Sequence, residues 1–237
     1  MSSQVFHFKH FTIHQDRCAM KVGTDGVLLG SWVQPVQCQT ILDIGTGTGL
    51  IALMLAQKTT AHITGIDIDK NACIQAQENV NGSPWAHRIK IEHRALQDFV
   101  KLTNQKFDLI ISNPPYFVDA YQANDAARNL ARQANASLSF DELIQGVKKL
   151  LHPHGSFYVI LPFKEGIMFK NKAMGEGMFY NRLVRVKTKM DKIEKRVIMC
   201  FGFANIKTTE EEIIIHEEDR CFTEDYKNLT RDYYPAF

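Results

Sequence analysis

The chain has 237 residues, 45% of them apolar, and 28 Lys and Arg against 26 Asp and Glu give a net charge of +2. That suits one domain over 1–237 with a full core, and near-neutrality puts no demand for a polyanionic partner on bulk charge. No apolar run approaches the roughly 18 residues of a membrane span, and Met1–His10 is polar and alternating, unlike a secretory leader. The five scattered cysteines form no Cys-x-x-Cys pair, which predicts reduced thiols in a cytoplasmic protein.

In chain order, Phe6, Phe8, Phe11 and Ile13 alternate with polar residues and predict a strand or bent hairpin. In the segment that follows, Gly23-Thr24-Asp25-Gly26 reads as a turn, with Thr24 or Asp25 as N-cap of a helix over Val27–Trp32. Residues 1–36 thus form an extension, a lid strand and a packing helix, ahead of a regular alternation. Strands are predicted at Thr40–Ile44, His62–Asp67, Arg88–His93 and Phe107–Ser112, with helices at Leu50–Gln57, about Asp69–Val80 and near Leu96–Leu102. Ser139-Phe-Asp-Glu142 is a capping box opening a helix to about Leu151; His152–Gly155 ends it and Ser156–Leu161 is a fifth strand. This alternation predicts an α/β, doubly wound, mostly parallel sheet. Beyond Arg182, three strand-like runs (183–188, 197–203, 213–216) without long helices predict an antiparallel pair closing one edge, and Phe222–Phe237 a short helix and tail.

Charge is segregated near the end. Residues 182–196 carry seven Lys and Arg against two acids, whereas 210–225 is acidic. A basic face for a polyanion and the solvated outer face of a strand are both consistent with this, the second slightly favoured by the two-residue spacing of Arg185, Lys187 and Lys189.

Two motifs carry chemistry. Asp43-Ile-Gly-Thr-Gly-Thr-Gly49 is a glycine-rich turn between a strand and a helix, where Gly45 and Gly47 let backbone approach a ligand at the carboxyl end of the sheet. Its Gly-x-Gly-x-Gly spacing differs from the dinucleotide fingerprint, and no phosphate-binding Gly-x-x-x-x-Gly-Lys-Ser/Thr occurs. Asp67, ending the second strand, suits vicinal ribose hydroxyls. Asp43 would repel a pyrophosphate but suits the cationic amino acid end of S-adenosylmethionine; taken alone it equally suits capping of the turn's own N–H groups. The second motif, Asn113-Pro114-Pro115-Tyr116, follows the fourth strand. The Asn113 side-chain oxygen and the Pro114 carbonyl can each accept one N–H of an amino group on a planar acceptor. That grip favours a tetrahedral nitrogen whose lone pair faces the methyl carbon. Tyr116 offers a stacking ring. Together the motifs point to methyl transfer from S-adenosylmethionine to a planar nitrogen, without a strong general base. The histidines have no partners at metal-ligand spacing, so no metal is expected.

With these motifs the chain resembles the class I S-adenosylmethionine-dependent methyltransferases of the Asn-Pro-Pro-Tyr type. More narrowly it resembles the bacterial enzymes that methylate N6 of an adenosine beside the anticodon of valine tRNA. The narrower likeness rests on Phe6-x-Phe-Lys-x-Phe11 with Gln15, on Met20-Lys-Val-Gly-Thr-Asp-Gly-Val-Leu-Leu-Gly-x-Trp32, on Gln77-Glu-Asn-x-Asn81 with Ser83-Pro-Trp85, on Arg128-x-x-x-Arg132, and on Tyr226-x-x-Leu-Thr-x-Asp-Tyr-Tyr234. The resemblance implies a Rossmann-like fold with a seven-stranded sheet and an antiparallel edge strand. It implies that Asn113, Pro114, Pro115 and Tyr116 hold the flipped adenine, and that Asp43, Gly45, Gly47 and Asp67 hold the cofactor under a closing segment of Lys21, Gly23 and Thr24. Arg128 and Arg132 would meet tRNA phosphates, and no obligate protein partner is evident. Relatives usually carry an acid after the third strand; here that position is Ala95, which would touch the cofactor's adenine only through backbone or methyl. The rival readings are a glutamine-N5 methyltransferase acting on a release factor, a guanine-N2 methyltransferase, a non-catalytic RNA-binding module of the same fold, and an NAD oxidoreductase. The first of these expects a helical domain ahead of the core, where this chain has an alternating extension.

Overall fold

The computed structural model describes residues 4–115 and 138–237. A hairpin, β1 (Val5–His7) and β2 (Thr12–His14), precedes α1 (Thr24–Trp32). There follow β3 (Thr40–Ile44), α2 (Leu50–Lys58), β4 (His62–Asp67), α3 (Lys70–Asn81), β5 (Ile89–His93), α4 (Leu96–Leu102) and β6 (Phe107–Ser112). After the undescribed stretch come α5 (Phe140–Leu150), β7 (Leu151–Pro162), α6 (Phe163–Gly175), β8 (Phe179–Lys187), β9 (Arg196–Gly202), β10 (Thr209–Ile214) and α7 (Glu224–Thr230).

The strands build one eight-stranded sheet in the order β10-β8-β9-β7-β6-β3-β4-β5. The doubly wound, mostly parallel architecture is as expected, with two differences. The antiparallel strand is β9, inserted between β7 and β8 rather than at the edge, and an eighth strand, β10, forms that edge in parallel to β8. The chain leaves β3 toward β4 and β5 and then returns to β6 on the other side. The switch point therefore lies between β3 and β6. Ile44 is paired with Ser112, so Gly45 and Asn113 leave the sheet side by side.

Local chemistry explains the other departures. Helix α1 starts at Thr24, so Thr24 and Asp25 fall within its first turn, and the cap position goes to Gly23, which has no side chain to form a cap bond; Asp25 pairs instead with Arg196. The segment His152–Gly155 belongs to β7, as an irregularity opposite Asp108. A Cβ on Gly155 would lie 2.9 Å from the Asp108 carbonyl and 3.0 Å from that of Phe107, so a side chain there would break the pairing. The capping box is present: the Glu142 N–H donates to Ser139 Oγ at 3.2 Å and the Ser139 N–H to Glu142 Oε2 at 2.9 Å. Helix α6, which no capping residue marks in the sequence, follows Pro162 without a side-chain cap.

The two charged runs meet each other. Arg182, Arg185 and Lys187 of β8 pair with Glu211, Glu210 and Glu212 of β10 at 2.8, 2.7 and 2.7 Å. Each half-exposed pair is worth at most about 1 kcal/mol, but as a set they fix which strand covers this edge. The strand reading of 182–187 holds, and most of its charge is spent within the sheet.

The ends of the chain form one pad over α2. Lys9 Nζ donates to the Phe237 carbonyl at 2.8 Å, Tyr234 stacks on Phe8, and the buried Tyr233 hydroxyl donates to the Met54 carbonyl at 3.0 Å. This covering explains why Leu50–Ala56 is buried all round. From the hairpin an arm runs to α1, fastened by the buried Asn79. Its Oδ1 accepts from the His14 N–H at 2.8 Å, and its Nδ2 donates at 2.9 Å to the carbonyls of both His14 and Thr48. One side chain thus ties the arm to the glycine turn. Asn79→Ala orphans these groups and is expected to destabilise by about 3 kcal/mol, a clear fall in the urea midpoint; an unshifted midpoint would mean that the arm is not held this way.

Candidate active site

Both motifs lie at the switch point. The turn after β3 is bonded to β4, with the N–H groups of Gly45 and Thr46 donating to the Ile66 carbonyl at 2.9 and 3.0 Å. Gly45 and Gly47 have φ of +73° and +55°, the left-handed region. A Cβ at either would meet no atom within 4 Å, so backbone lies bare toward the crevice. Asp67 ends β4 beneath this turn: its Oδ2 accepts from the Gly47 N–H at 2.9 Å and its Oδ1 from the Asp69 N–H at 2.9 Å. Each oxygen retains a lone pair for a further donor.

Asp43 is fully buried. Thr46 Oγ1 donates to its Oδ2 at 2.7 Å, whereas its Oδ1 has no partner among the described residues. Burial pushes its carboxyl up to about 7; the Thr46 bond works in the opposite direction, the nearby Asp67 adds to the rise, and the Ala52 backbone N–H lowers it slightly. The side-chain oxygen of Asn113 is also buried and without a partner. The first turn of α1 packs close by: a Cβ on Gly26 would sit 3.1 Å from Leu50 and 4.0 Å from the Asn113 amide nitrogen.

Two cavities meet here, sharing Met20, Gly45, Gly47 and Asn113 in their walls. One, of about 270 Å³, lies over Asp67 and reaches Pro114 and Pro115. The other, of about 620 Å³, runs past Lys21, Gly23 and Thr24 to the ends of β8 and β10. Ligand sites in general span roughly 300–1,000 Å³. The predicted residues Lys21, Gly23, Thr24, Gly45, Gly47, Asp67, Asn113, Pro114 and Pro115 all line one or both. Asp43 sits under the turn. Ala95 caps α4, its carbonyl accepting from the Asp98 and Phe99 N–H groups, and that wall is formed instead by Arg94, Leu96 and Gln97. Tyr116, Arg128 and Arg132 lie outside the described residues.

The residues fit S-adenosylmethionine. An orphaned buried oxygen on Asn113, a buried carboxyl at Asp43, bare backbone at two glycines and a carboxylate under the turn suit a ligand with a cationic end and a ribose, and no feature of the turn is specific for pyrophosphate. Sequence reasoning missed Gln97, the clamping role of Asn79 within its motif, and the ion pair between Arg196 and Asp25 (2.7 Å), whose partners are 171 residues apart. Among the described residues, no group of three or more His, Cys, Asp or Glu is placed to hold a metal ion, and no helix is long and apolar enough to cross a membrane.

Strand order, switch point and paired motifs define the class I methyltransferases. Atu636 of Agrobacterium tumefaciens, a predicted O-methyltransferase, has the same fold, with a TM-score of 0.69 at 17% identity over 88% of this chain and 96% of that one. The family model described as methyltransferase small domain matches residues 19–170. The tRNA1(Val) (adenine(37)-N6)-methyltransferase of Bacteroides fragilis is 43% identical over 99% of both chains, and that of Histophilus somni 41% identical over 99% of this chain and 98% of its own. The chain belongs to the methyltransferase small domain family and, within it, to the tRNA1(Val) (adenine(37)-N6)-methyltransferase family.

Proposed function

We propose that this chain, one methyltransferase domain over 1–237 acting in the cytoplasm, methylates N6 of adenosine 37 in tRNA1(Val) with S-adenosylmethionine. The observation that carries the reading is the buried, unpartnered oxygen of Asn113 beside the glycine turn, in a chain 43% identical to an enzyme of that name. S-adenosylmethionine supplies a methyl group on a cationic sulfur, so the acceptor needs an aligned lone pair and no strong base, and the methylated nitrogen, cationic once the methyl is on it, loses one of its two protons to water. In this reading Asp67 accepts from the ribose hydroxyls, Gly45 and Gly47 give close backbone approach, and Asp43 faces the cationic amino acid end. Lys21, Gly23 and Thr24 cover that end. Asn113 Oδ1 and the Pro114 carbonyl each accept one N–H of the adenine amino group. Both bonds favour the tetrahedral nitrogen of the transition state over the planar ground state. Pro115 and Tyr116 flank the ring, and Arg128 and Arg132 meet phosphates of the loop. The base must leave its stack, which a single-stranded loop permits at a small penalty.

The test is transfer from labelled S-adenosylmethionine with bacterial tRNA and a release factor as parallel substrates. Label is expected in tRNA alone; label in the protein would move the assignment to glutamine.

A further inference from the structure

The larger cavity continues beyond Asn113 to a wall that the transfer chemistry does not use. This wall is built from the ends of β8 and β10 and the start of β9, where Thr188, Lys195 and His216 line the space. Lys195 and His216 are 21 residues apart, yet both are fixed by backbone bonds to the end of β8. The Lys195 N–H donates to the Val186 carbonyl at 2.8 Å, and the His216 N–H to the Thr188 carbonyl at 3.0 Å. The His216 ring stacks on Phe222, with centroids 4.9 Å apart at 26°, which holds a flat aromatic surface against the cavity.

The charge of this wall is read by elimination. Of the basic residues between 182 and 196, three are taken up by the β10 glutamates. Lys189 donates to the Glu218 carbonyl, Lys192 pairs with Asp191, and Arg196 pairs with Asp25. Among the described residues, Lys195 is the member of the set whose exposed side chain has no such partner, and it lines the cavity. Asp25 is the one acid among the described lining residues, and it is neutralised by Arg196. A fixed ring beside an uncommitted ammonium and a hydroxyl is the donor set for a nucleotide: stacking for a base, charge for its phosphate.

We infer that this end of the cavity holds a nucleotide next to the methylated one, its base against His216 and its phosphate at Lys195, so that the tRNA strand passes between Asn113 and the β8–β9 turn. The inference rests on the tRNA reading above and adds the side from which the strand is gripped. The test measures binding of tRNA1(Val) and of S-adenosylmethionine separately to the wild type, Lys195→Ala, His216→Ala and His216→Phe. Lys195→Ala is expected to weaken tRNA binding about five-fold and to reduce the slope of log K against log salt by roughly 0.7–0.9. His216→Ala is expected to weaken it about ten-fold, and His216→Phe to restore most of that loss, since a ring of either kind stacks. Affinity for S-adenosylmethionine should stay within about two-fold throughout, which also reports an intact fold. Wild-type tRNA affinity and salt slope in both alanine variants would overturn the inference while leaving the tRNA reading in place. Loss of S-adenosylmethionine affinity in His216→Phe and Lys195→Ala would overturn it by assigning this wall to the cofactor. A wild type that binds no tRNA would overturn the tRNA reading and this inference with it.

Discussion

Asn113→Ala is expected to lower kcat about 10²–10³-fold while leaving the Kd for S-adenosylmethionine within about two-fold. The asymmetry follows from where its oxygen lies. Asn113 Oδ1 is buried and has no partner among the described residues, so removing it breaks no bond to any of them. What disappears is an acceptor aimed at the amino group, whose value rises as that nitrogen becomes tetrahedral. Thermal stability should therefore hold or rise slightly, since a buried acceptor without a partner is itself unfavourable. Single-turnover rates together with equilibrium cofactor binding make the comparison. Equal losses in both would mean that Asn113 shapes the cofactor site and not the transfer step.

Asp43→Asn is expected to stabilise the chain at pH 8 while abolishing tight cofactor binding. Burial raises the Asp43 carboxyl from an ordinary value of 3.8 to about 7 in the folded chain. The folded state thus holds the proton more tightly than the unfolded state. The group's contribution to stability is complete below about pH 4, is lost as pH rises toward 7, and above 7 the buried charge is a constant burden. An uncharged amide removes that burden, by about 2 kcal/mol or some 4–8 °C in Tm at pH 8, with little gain at pH 4. A cationic ligand reverses the sign, because it favours the ionised carboxylate. Affinity of the wild type for S-adenosylmethionine should consequently strengthen as pH rises from 6 to 8, with proton release on binding near pH 6.5, a dependence absent in Asp43→Asn. Calorimetry in buffers of different ionisation enthalpy reads the proton directly. A pH-independent affinity in the wild type would remove Asp43 from the cofactor's cationic end.

Much of the site was legible before the fold, because both motifs are local. Gly-x-Gly-x-Gly after a β-branched run and Asn-Pro-Pro after another each define a strand end, and doubly wound topology brings two such ends together. Asp67 was readable for the same reason, as the last residue of its strand. What escaped depends on pairing between distant segments. The partners of Arg182, Arg185 and Lys187 lie 25 to 29 residues on, in β10, so the same charges could be read as an open basic face. The position of β9 inside the sheet is set by its pairing with both β7 and β8, to which hydropathy in any one strand is blind. Gly155 reads as a helix stop, although its role is to let β7 approach the β6 backbone. Ala95 was placed at the cofactor by likeness to an acid in relatives, whereas here the side chains at that wall come from its neighbours Arg94, Leu96 and Gln97. Tyr116, Arg128 and Arg132 are carried by sequence alone.

The proposed activity is tested most plainly by nucleoside mapping of tRNA1(Val) that lacks the modification, after incubation with the purified chain and S-adenosylmethionine. One N6-methyladenosine per tRNA is expected, at position 37, and none with Asn113→Ala over the same interval. Methylation of another atom or another nucleotide, or an undiminished yield from the variant, would contradict it.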